Sequence, residues 1–193
     1  MTNPSPEQPF RKAVFLVALA SGYRISELAA LMRANSLTRF APDYSFVLLA
    51  TNPKFVAKNE RISHRMTPIT IPALMEGNHH HVLCPVFALK NYINAVPANQ
   101  ADKLWKWPAS NVLCSPNNLA KVICSVIKEA DPSSAPTAHE VRGYASSVAF
   151  ARSLDALQVQ QAGQWASCRT FINCYLNTQA EEAPCVAMGS MPQ

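Results

Sequence analysis

Apolar residues along the chain recur in helix-length stretches, separated by prolines and polar turns. Residues 10–21 (F-R-K-A-V-F-L-V-A-L-A-S) have the length and composition of a buried helix, and Gly22 stands where helices end in a left-handed residue. A second helix is predicted at once, with Ile25, Leu28, Ala29 and Met32 on one face, and the tight turn between the two carries Tyr23 and Arg24. Residues 44–51 (Y-S-F-V-L-L-A-T) and 66–72 (M-T-P-I-T-I-P) read as strands. Pro68 and Pro72 cannot donate to a ladder, which puts the second strand at an edge. The connection between them, 52–65, is basic, with Lys54, Lys58, Arg61 and Arg65.

Pro85 opens a predicted helix through Asn94, and Pro116 or Asn117 opens another through Glu129. A Pro/Ser linker over 131–136 leads into a helix from Thr137 to about Arg152. Shorter helices are predicted near 155–163 and 168–177, and 178–193 has no period. The pattern predicts a mainly α fold with a small antiparallel β-sheet, an α+β class. Its organisation is a flexible segment over 1–9, one domain over 10–177 and a tail over 178–193.

Composition narrows this further. The chain has 193 residues, of which 49% are hydrophobic, so it can bury a core and is not a disordered tail. Lys plus Arg is 17 against 12 Asp plus Glu, a net +5 that permits a polyanionic partner. The longest apolar run, 13–20, is far short of a membrane span, and the polar, Pro-containing segment 1–10 has no secretory core, so no membrane association is expected. Cysteines at 84, 114, 124, 168, 174 and 185 include no C-x-x-C pair and read as reduced thiols of an intracellular protein. His79-His80-His81 with Cys84 is a weak metal candidate, because adjacent histidines point in different directions.

Four places carry candidate chemistry. Thr137-Ala138-His139-Glu140 is a capping-box pattern that puts His139 and Arg142 three apart in the first turns of a helix, beside N–H groups suited to phosphate. Arg24 precedes a helix start in the same manner, where a guanidinium suits bidentate phosphate contact. Tyr175 follows Trp165 in a short helical stretch, and Lys58 lies in the basic connection. Taken singly, each has an ordinary reading as a solvated charge or a packing aromatic.

Taken in order, they resemble the tyrosine recombinases. A-S-G-Y-R-I-S-E-L (20–28) resembles the family's first-arginine motif, and H-E-V-R (139–142) is similar to its H-x-x-R box. A-G-Q-W-A-S (162–167), followed by Tyr175, looks like the glycine–His/Trp box and nucleophile. The separations fit too, with 115 residues from Arg24 to His139 and 33 from Arg142 to Tyr175. N-P-K-F-V-A-K-N-E (52–60), L-C-P-V-F-A-L-K-N-Y (83–92) and the W-x-S-x-x-T-F-x-x-x-Y pattern of 165–175 look closest to recombinases of DIRS-type retrotransposons. The family carries a helical core-binding domain ahead of the catalytic one. About ten residues precede the first predicted helix, so that domain is expected to be absent here.

The resemblance implies a fold, a reaction and a set of roles. Tyr175 would attack a phosphate of double-stranded DNA, giving a 3′-phosphotyrosyl link and a free 5′-hydroxyl. His139 would serve as base, since a phenol is mostly protonated at neutral pH. Arg24 and Arg142 would hold the non-bridging oxygens, and Trp165 would donate its indole N–H to the phosphate. Lys58 fits the family's hairpin lysine, the general acid, with Lys54 as the alternative. Lys54, Arg61 and Arg65 would contact the DNA backbone. The chemistry implied needs no metal, ATP or other cofactor. The expectation is DNA recombination or integration of the mobile-element type, with self-association on DNA and, in a eukaryote, a nuclear location. Supercoil relaxation in the manner of type IB topoisomerases, or a catalytically silent DNA-binding or assembly domain, are the alternatives.

Overall fold

The computed structural model describes residues 7–57, 67–96, 103–153, 155–163 and 172. Helix α1, Glu7–Ser21, starts three residues before the predicted Phe10 and lies at the centre of the core. Phe10, Ala13, Val14 and Val17 on it are wholly buried. It packs against α3 (Pro85–Ala95), α4 (Pro116–Ala130) and α5 (Ala138–Ser153), and also reaches the sheet. Proline at the first position starts α3 and α4 as predicted, and the Ser115 hydroxyl caps α4 by accepting from Asn118 N–H at 3.2 Å. Helix α6, Ala156–Ala162, is capped by the Asp155 carboxylate. Among the described residues no helix is long and apolar enough to cross a membrane.

The sheet is antiparallel, in the order β1 (Thr38–Phe40), β2 (Phe46–Leu49), β3 (Ile69–Pro72). Val47 pairs with both Phe40 and Ile71, and Val47, Leu49 and Ile71 turn their side chains into the core. Strand β3, Ile69–Pro72 within the predicted 66–72, is at an edge, as predicted. Two expectations change. Strand β2 begins at Phe46 rather than at residue 44, because residues 41–45 form the turn from β1. There Tyr44 adopts φ +58° and its N–H bonds to Ala41 O at 2.9 Å. A second hairpin, β4 (Met75–Glu76) with β5 (His79–His80), follows β3 and holds the histidine run.

Helix α2 is also shorter than predicted. It spans Ile25–Ala29 only, since Leu31 and Met32 leave it for extended pairings with Thr51 and Lys103. Tyr92 on α3 ties this region to the core. Its ring lies 5.5 Å from Phe10 and 5.4 Å from Trp105, and burial pushes its phenol up to about 12. Residues 1–6 and 178–193, the ends of the predicted organisation, lie outside the described residues, as do 168–171 and 173–177 of the last predicted helix.

The junction of α1 and α2 depends on one conformation. Gly22 has φ +59°, and its N–H closes α1 by bonding to Ala18 O at 3.0 Å. A side chain in the left-handed region costs about 1–2 kcal/mol. Gly22→Ala is therefore expected to lower stability by about that amount in urea denaturation, and Gly22→Asn by less, since asparagine tolerates this region. Equal losses for the two variants would contradict the account of this turn.

Candidate active site

The α1–α2 junction and α5 bring the two predicted arginines together. Arg24 is the extended residue that precedes α2, with φ −66° and ψ 154°. Its backbone N–H bonds to Glu27 Oε2 at 2.7 Å, and its Nη1 bonds to Glu27 Oε1 at the same distance. Glu27 is three residues on, the spacing at which a carboxylate reaches back over the first turn of a helix. One side chain thus starts α2 and holds the Arg24 guanidinium.

Arg142 approaches the same carboxylate from α5. Its Nη1 donates to Gly22 O at 2.7 Å and to Glu27 Oε2 at 3.2 Å, and its Nη2 donates to Gly163 O at 2.7 Å. The left-handed turn at Gly22 leaves that carbonyl bonded to the guanidinium. Gly163, at the end of α6, supplies the second. Both charged groups are buried, with 1% of the Arg142 side chain and 4% of the Glu27 side chain exposed. Buried charges persist only when paired, and removing one partner of such a pair typically costs about 3–5 kcal/mol. The Arg24 side chain is 21% exposed, so it is the arginine nearer to solvent. Guanidinium groups gathered in this way are chemically suited to a phosphodiester.

His139 stands exposed on the first turn of α5, one turn from buried Arg142. The predicted capping box is present on its glutamate side, where Glu140 Oε2 accepts the Thr137 N–H at 2.8 Å. Lys54 is also exposed, on a turn in which its N–H bonds to Asn52 Oδ1 at 2.8 Å. Asn52 N–H bonds to Ala30 O at 2.8 Å, so the basic connection leaves the sheet at the C-terminal end of α2. At a rise of about 1.5 Å per residue, α2 sets that end some 7 Å along its axis from the Arg24 end. Lys58, Arg61, Arg65, Trp165 and Tyr175 lie outside the described residues.

Glu27 is the residue of this cluster that sequence reasoning missed. It stands inside the A-S-G-Y-R-I-S-E-L motif, and its three-residue spacing from Arg24 is the signal that could have found it. The histidine run has local partners instead. His80 Nδ1 is 3.7 Å from Cys84 Sγ, its ring stacks on Phe87, and His81 faces Glu76. Among the described residues no three His, Cys, Asp or Glu side chains converge as metal ligands would.

No family model matches the chain, and no curated protein matches it in sequence. Solved structures do. The chain is similar to the XerH site-specific recombinase in a post-cleavage complex with its palindromic difH substrate, with a TM-score of 0.60 and 13% identity. That likeness covers 89% of this chain and 43% of the other. It is also similar to the XerA recombinase, with a TM-score of 0.58 and 17% identity over 90% of this chain and 59% of the other. The chain spans about half the length of the recombinases it matches. Its six described helices and three-stranded antiparallel sheet have the fold of the tyrosine recombinases.

Proposed function

We propose that the chain cleaves and rejoins double-stranded DNA through a 3′-phosphotyrosyl intermediate, in recombination or integration of the mobile-element type. The observation that carries this reading is the buried Glu27 carboxylate shared by Arg24 and Arg142. These arginines come from two motifs 118 residues apart (142 − 24), and they meet in a fold whose solved examples include DNA recombinases. The kinship with DIRS-type recombinases rests on the N-P-K-F-V-A-K-N-E and L-C-P-V-F-A-L-K-N-Y segments and the W-x-S-x-x-T-F-x-x-x-Y pattern of 165–175, and is proposed on those residues alone.

In this reading the Tyr175 oxygen forms a bond to phosphorus, the bond to the 5′-oxygen breaks, and the phenol proton passes to His139. Arg24 meets the non-bridging oxygens from the solvent side, and Arg142 adds its charge from beneath, offsetting what gathers in the pentavalent transition state. Trp165 donates its indole N–H to the phosphate. Lys58 or Lys54 gives a proton to the departing 5′-oxygen, while Arg61 and Arg65 hold the backbone. The phosphotyrosyl bond keeps the energy of the phosphodiester, so a second 5′-hydroxyl can reverse the attack and exchange strands.

Tyr175→Phe is expected to abolish the covalent protein–DNA adduct on a nicked suicide substrate, read on a denaturing gel, while circular dichroism stays that of the parent chain. An adduct that persists in the Phe variant would assign the nucleophile elsewhere.

The lysines separate on a substrate with a bridging 5′-sulfur, whose leaving group hardly needs a proton. The general acid's Ala variant should fail on ordinary DNA and recover most cleavage on the sulfur substrate, a change of about 10²–10⁴-fold. Rescue in Lys58→Ala and not in Lys54→Ala is the expected outcome. The reverse would make Lys54 the acid, and rescue in neither would remove both from that role.

A further inference from the structure

We propose that Trp105 is a positioning residue for the arginine site, its indole N–H fixing α2 so that Glu27 stands between Arg24 and Arg142. This rests on the proposed function for its consequence in catalysis, though not for the geometry. Helix α2 has five residues, and so short a helix does not hold itself in water. Its last carbonyls need partners from elsewhere. The carbonyl of Leu28, the residue after Glu27, accepts the Trp105 Nε1–H at 2.9 Å, closer than the 3.3 Å contact it receives from Leu31 N–H.

Trp105 is itself held from several sides, with 1% of its surface exposed. Its ring stacks on Tyr92 at 30°, and the Tyr92 hydroxyl accepts Lys106 N–H at 2.7 Å and lies 3.0 Å from Leu104 O. Leu104 N–H bonds to Leu31 O at 2.8 Å, and Cys114 N–H bonds to Trp105 O at 3.0 Å. These bonds fix the indole relative to the core, and the indole fixes the helix that carries Glu27. A buried tryptophan usually finds some acceptor for its N–H. Here the acceptor is the carbonyl of Leu28, the residue after the glutamate that joins two arginines, so a shift of α2 changes both ion pairs together.

The test uses the full chain with two variants. Trp105→Phe removes the donor and reduces the ring, whereas benzothienylalanine at position 105, introduced by nonsense suppression, keeps the bicyclic shape without an N–H. The first readout is the ¹⁵N–¹H spectrum of the Arg24 and Arg142 guanidinium groups. The second is single-turnover cleavage of a suicide duplex across DNA concentrations. Both variants are expected to shift the two guanidinium resonances. The cleavage rate at saturating DNA should fall roughly 10–100-fold, as a small misplacement of a site does, with the half-saturating concentration within about twofold of the parent value. If Trp105→Phe does not fold, the benzothienylalanine variant decides. A folded variant with unmoved guanidinium resonances, or with an unchanged saturating rate in an active parent, would overturn the proposal. A parent chain that forms no adduct, with resonances that still shift in the variants, would overturn the recombinase reading and leave the positioning role in place.

Discussion

A single buried carboxylate, Glu27, holds the site together. Two guanidinium groups so near one another would repel, and a buried Arg142 without a counter-charge would be driven toward water. Glu27 answers both, taking Arg24 on one oxygen and Arg142 on the other. Whatever else the chain does, α1, α2, α5 and α6 must meet where they do for this arrangement to exist. Gly22 and Gly163 lend their carbonyls to Arg142, so two helix ends converge on the same guanidinium.

This constraint explains features that look arbitrary one at a time. Helix α2 is short because its continuation, Leu31 and Met32, is drawn into pairings with Thr51 and Lys103, and these anchor it to the sheet and to the 103–106 segment. The start of the basic connection is fixed by the same anchoring, through Asn52 N–H on Ala30 O. A helix of five residues, with an arginine just before it, a glutamate within it and the foot of a lysine-bearing connection at its far end, gathers these groups around one short element.

Much of the fold was legible where the signal is local. Gly22 after an apolar stretch, proline at 85 and 116, and Asp155 before α6 each mark a helix end by chemistry that acts within a few residues. The short strand Thr38–Phe40 was missed because three residues carry no periodicity and its pairing with β2 is set by tertiary packing. Tyr44 opens the predicted strand 44–51, yet it takes the left-handed position of a turn, where glycine or asparagine would be expected. The β4–β5 hairpin did leave a trace, the Gly77-Asn78 pair between two short segments. Of the site, the arginines were found as parts of motifs, but the burial of Arg142 was not, since arginine is almost never fully buried unless paired and its partner lies 115 positions away (142 − 27).

The central claim is that the paired arginines offset the charge of a phosphodiester, and one substrate tests it directly. A methylphosphonate at the cleaved position replaces a charged non-bridging oxygen with a neutral methyl group. Arg24→Ala, which leaves Glu27 paired with Arg142, should cleave ordinary DNA at least about 100-fold more slowly than the parent chain, as loss of one transition-state charge partner does. On the methylphosphonate duplex the same variant should approach the parent rate. A loss of equal size on both substrates would contradict the account, because Arg24 would then be doing something other than neutralising the phosphate.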